Sequence, residues 1–106
     1  MADTFYIKRN DTSPAIKYQL DPKVDLTDAS VVFNMARAGG APVVNRGAAE
    51  IVGDPTDGIV SYSWSGADTE QAAQFRGEFE VTYADGEVET FPNDGYIRIL
   101  ITSDLG

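Results

Sequence analysis

The residues best equipped for chemistry in this chain are carboxylates gathered at turns. Asp54 and Asp57 stand in DPTDG, and Asn93 and Asp94 in PNDG, offering the hard oxygen ligands that calcium takes. Neither stretch has EF-hand spacing, and both read more simply as backbone turns whose side chains bond local amides. Histidine and cysteine are absent. That removes Ser–His and Cys–His nucleophilic pairs, histidine general bases and Cys/His zinc sites. Carboxylate catalysis needs a pocket holding groups of shifted pKa, and a small β domain offers few places to build one. The expectation is therefore no catalytic residue, no cofactor and no metal: a protein that is not an enzyme. Tyr62, Trp64 and Tyr83 could form a sugar platform, but alternation turns them toward a core.

The elements that would carry these groups follow from period-two alternation, which recurs along the chain where no long helical period does. FYIKR is a first strand, and PAIKYQL places Ile16, Tyr18 and Leu20 on one face. SVVFNMARA points Val31, Phe33 and Met35 inward, with Gly39-Gly40 turning into APVVN. AAEIVG is a weaker strand before the DPTDG turn, and GIVSYSW buries Val60, Tyr62 and Trp64 against serines. FRGEFEVTY has Phe75, Phe79, Val81 and Tyr83 inward and Arg76, Glu78, Glu80 and Thr82 outward. YIRILIT closes the fold. ADTEQAAQ is the one helical candidate, a turn or two over residues 67–74 capped by Asp68. Seven or eight short strands with such a turn predict an all-β, immunoglobulin-like antiparallel β-sandwich, a small closed barrel being the runner-up.

Length and charge bound the rest. A chain of 106 residues is one domain, 1–106, able to bury its own core. The start MADTFYIKRND lacks the apolar middle of a signal peptide, and no apolar run approaches membrane-span length. The net charge of −9 is uneven: residues 47–106 hold two Lys/Arg against twelve Asp/Glu. An acidic half repels phosphate backbones, so nucleic acid is not an expected partner, nor is a membrane.

The hairpin YADGEVETFPNDGY raises a question of faces. If Asp85-Gly86 is a two-residue turn, Tyr83 pairs with Val88 and Phe91 falls opposite Glu80, on the outside. In the last strand Ile97, Ile99 and Ile101 take one face while Tyr96, Arg98 and Leu100 take the other. Apolar groups on a face that should be wet suggest a neighbouring chain, because monomers seldom leave large apolar patches open. Phe91, Tyr96 and Leu100 are the expected interface residues, unless a bulge rotates Phe91 inward.

Four stretches in order, KRNDTSPAIKYQL, VDLTDASVVFNMARAGGAPVVN, GIVSYSWSGADT and FRGEFEVTYADGEVETFPNDGYIRILI, resemble the immunoglobulin-like N-terminal domain of the phage baseplate upper protein family and related phage virion proteins. The likeness spans nearly the whole chain, and its specificity lies in the order of loose turn-and-strand motifs. Asn10 and Asp28 stand where that family has glycine; both residue types tolerate the left-handed backbone conformation. The resemblance implies a non-enzymatic structural or adaptor protein of a tailed-phage virion, in baseplate, tail, neck or on the capsid surface. It further implies synthesis in the host cytoplasm, residence in the virion, and docking to other virion proteins and to itself. The alternative is an adhesion or carbohydrate-binding module for host-surface attachment.

Overall fold

The computed structural model of the protein describes residues 4–105. These form two sheets packed face to face, the β-sandwich that the alternation predicts. The larger sheet contains β1 (Thr4–Lys8), β3 (Ser30–Ala36), β4 (Pro42–Ala48), β7 (Ala73–Thr82), β8 (Val88–Phe91) and β9 (Ile97–Thr102). The smaller has β2 (Ile16–Gln19), β5 (Glu50–Ile51) and β6 (Ile59–Tyr62). The long strand β7 is the spine. One edge pairs with β3 from Arg76 to Thr82, while the other is shared between β9 at its start and β8 at its end. β4 flanks β3, and β1 closes the far side by running parallel to β9. The parallel pairing joins the two ends of the chain, and the intervening domain serves as the long crossover that parallel strands require.

The core lies between the sheets. Phe33, Phe75, Phe79, Val81 and Ile99 from the larger sheet meet Ile16, Val60 and Tyr62 from the smaller and Trp64 just past β6, all buried. Phe33 sits at its centre, 4.9 Å from the ring centroids of both Tyr62 and Phe79 and edge-on to Trp64 at 5.7 Å. Each such side chain contributes about 1.5–3 kcal/mol on burial. Trp64 has no hydrogen-bond acceptor for its buried indole N–H among the described residues, so packing holds it. Gly77 leaves the space that this packing fills. A Cβ there would lie 2.9 Å from Phe33 Cζ and closer still to Ile99 Cδ1.

Two expectations are corrected. Residues 66–69 form a hydrogen-bonded turn rather than a helix, and β7 starts at Ala73; the helical turn of the described residues is the 3-10 turn Pro55–Asp57. Asp68 does not cap a helix because its carboxylate is already engaged: it accepts from Tyr62 Oη at 2.6 Å and from the Ser65 amide at 2.8 Å. The second correction is Phe91. It is fully buried and pairs with Phe79, not with Glu80. The hairpin loop has three residues, Ala84 to Gly86, with the Tyr83 amide donating to Glu87 O at 2.8 Å and Gly86 at φ 89°. One extra loop residue shifts the register by one, and a shift of one turns every side chain to the other face.

Asn10 and Asp28 do adopt left-handed backbone, at φ 69° and 61°. Arg46, at φ 54°, is a third such residue, and alternation gave no warning of it. It marks a bulge in β4, where the register against β3 slips between Phe33 and Met35.

Candidate functional site

The outer face of the larger sheet is where exposed apolar and basic groups come together. Alternation along β9 sends Ile97, Ile99 and Ile101 into the core, so Arg98 and Leu100 must face out. Neighbouring strands then build rows across the face. Tyr6 of β1, Leu100 of β9 and Gln74 of β7 form one row. Arg98, Arg76 and Ala36 form the next, ending at Pro42 on the edge. Tyr6 is 64% exposed, the largest exposure of an aromatic ring among the described residues, and Leu100 beside it is half-buried.

Tyr96 lies just before β9 and folds over the second row, with the Arg76 guanidinium 4.3 Å from its ring centroid. A shallow groove of about 390 Å³ opens here, lined among others by Asn34, Ala36, Arg37, Arg76, Glu78 and Tyr96. Arg37 on its rim rests 5.6 Å above the Phe75 ring and donates to Gln71 Oε1 at 3.2 Å. Further along the same face Arg46 pairs with Glu80 at 2.8 Å, and its amide donates to Asn34 Oδ1 at 2.8 Å. By contrast, the outer face of the smaller sheet carries Lys17, Ser61 and Glu50 in one row, all polar.

Of the expected interface residues, Tyr96 and Leu100 lie on this face and Phe91 does not. Sequence reasoning placed Arg76 and Arg98 on outer faces without naming them as interface residues, and it passed over Tyr6. A signal was available for the arginines: they are the two basic residues of the acidic stretch 47–106. Their meeting depends on the register between β7 and β9, which no local pattern reveals.

The acidic turns behave as backbone turns. Asp54 accepts from the Thr56 amide at 2.9 Å and the Thr56 hydroxyl at 2.8 Å, and these bonds, the amide's first, hold its carboxyl below the usual range. Asp25 accepts likewise from the Thr27 hydroxyl at 2.6 Å and amide at 2.9 Å, the hydroxyl lowering it most. Two phenols are pushed the other way. Burial, then the bond to Asp68, raises Tyr62; burial, then a 2.6 Å bond to Glu89, raises Tyr83 to about 12. Both sit against carboxylates that accept their protons in hydrogen bonds, which is structural work at the ends of the core.

No family model matches the chain, and no curated protein matches it. Among solved structures the fold is similar to CopC from Methylosinus trichosporium OB3b, with a TM-score of 0.58 over 99% of this chain and 89% of that one. At 11% identity the likeness concerns the fold. The virion assignment is corrected on this finding, since the solved structure whose fold this chain shares is not that of a phage protein. The inward placing of the aromatic trio holds, so no sugar platform forms: Tyr62 and Trp64 are in the core and Tyr83 is half-buried beside Glu89.

Proposed function

We propose that this chain is a non-enzymatic protein-interaction domain and that the outer face of its larger sheet is the docking surface. The observation that carries the reading is the contiguous set Tyr6, Leu100, Arg98, Arg76 and Tyr96, aromatic, aliphatic and guanidinium groups on one rigid sheet. Tyrosine and arginine are the side chains that most often anchor protein interfaces, and anchors on a rigid strand lose little entropy when covered. The same face supports binding better than catalysis. Its groove is open, and the phenols with raised pKa lie elsewhere, in hydrogen bonds to Asp68 and Glu89. The charge of −9 favours a protein partner over a nucleic acid.

A double change, Tyr6→Ser with Leu100→Ser, tests this. Both side chains point away from the core, so the melting temperature should move little. Wild-type protein added to an extract of its native cells should elute from a sizing column in a complex, and the double variant should elute alone. Equal elution of the two, with equal melting, would place the docking surface elsewhere.

A further inference from the structure

The arginine pair points to the chemistry of the partner. Residues 47–106 contain two basic side chains among twelve acidic ones, and the fold sets those two, Arg76 and Arg98, directly opposite each other on adjacent strands. Like charges facing across a ladder repel and destabilise the pair. Among the described residues neither guanidinium is ion-paired, whereas Arg46 on the same face has Glu80 at 2.8 Å.

The ring of Tyr96 meets the Arg76 guanidinium at 4.3 Å. A guanidinium held against an aromatic ring is pre-oriented, and its planar fork matches a carboxylate in a two-pronged hydrogen bond. The groove alongside, with Ala36, Gly39 and Pro42 on its floor and edge, supplies a seat for main chain next to that fork. Glu78 on the same groove and the net charge of −9 disfavour a dense polyphosphate. An extended acidic peptide is less opposed than a polyphosphate, because its same-face carboxylates stand roughly 7 Å apart and charges beyond roughly 8 Å are screened at physiological salt.

We propose that Arg76 and Arg98 form a carboxylate receptor, and that the groove takes an extended, acidic segment of a partner protein. This rests on the docking face described above and specifies what sits on it.

An NMR titration with N-acetylated hexaglutamate tests the proposal, read on the arginine Nε–Hε signals. Arg76 and Arg98 should shift, Arg46 should not, and binding should weaken as salt is raised. Arg76→Gln and Arg98→Gln should each weaken binding by about tenfold, the loss of a charge-assisted contact. Arg98→Gln should leave the melting temperature unchanged or raise it, since it removes a repulsion; a merely structural arginine would lower it. The proposal is overturned if hexaglutamate leaves both signals in place. It is equally overturned if oligothymidylate or inorganic phosphate shifts them as strongly, which would make the pair a phosphate receptor. If hexaglutamate fails while the Tyr6/Leu100 double variant still loses its complex, the docking face stands and only the carboxylate assignment is lost.

Discussion

Phe91 and Leu100 are both large apolar side chains on late strands, and they do opposite work. Phe91 is fully buried against Phe79, whereas Leu100 is half-buried between Tyr6 and Gln74 on the outer face. Phe91→Ala should therefore cost about 3–5 kcal/mol through loss of burial and the cavity left behind, as should Trp64→Ala. Urea midpoints measure both; a Phe91→Ala midpoint equal to wild type would mean that the ring does not fill the core. Alternation alone sorted most side chains correctly, among them Phe33, Trp64, Phe75 and Ile99. It failed at Phe91 because Asp85-Gly86 suits a two-residue turn and a three-residue loop equally well, and the choice decides the face. It was silent on Arg46, whose left-handed backbone answers a bulge formed between distant strands.

At the scale of elements, the hairpin joining β7 and β8 is held by side chains as well as by the ladder. Tyr83 Oη donates to Glu89 Oε1 at 2.6 Å, and Asn93 Nδ2 donates to Glu89 Oε2 at 3.1 Å. The Tyr83 phenol is raised from 10.0 to about 12, by burial first and then by Glu89. A raised folded-state pKa contributes stability that is whole below the ordinary tyrosine value and is lost as pH climbs through the raised one. Urea unfolding at a series of pH values should show a decline setting in above pH 10.0 and a shallower one in Tyr83→Phe, which has no proton to lose. Parallel declines would mean that this bond does not form. Strands as long as β7 were legible because ten residues of alternation leave little ambiguity. The expected helix over 67–74 was not, because the usual cap residue Asp68 is claimed by Tyr62, a contact made by tertiary packing.

Across the whole molecule, the sandwich presents two outer faces of different character. The smaller sheet shows Lys17, Ser61 and Glu50, while the larger shows Tyr6, Leu100, Tyr96 and two facing arginines in the acidic part of the chain. Of this candidate site, Tyr96 and Leu100 could be read from the alternation of one strand. Tyr6 and the meeting of Arg76 with Arg98 could not, since three strands far apart in sequence must first be put in register. The central claim is that the larger sheet's face, and not the smaller one's, receives the partner. A photo-crosslinking benzoylphenylalanine placed in native cells at Tyr6, and in a separate variant at Lys17, tests it most directly. A discrete protein adduct from position 6, with little or none from position 17, is the result expected. An adduct that forms at position 17 and not at position 6 would contradict it.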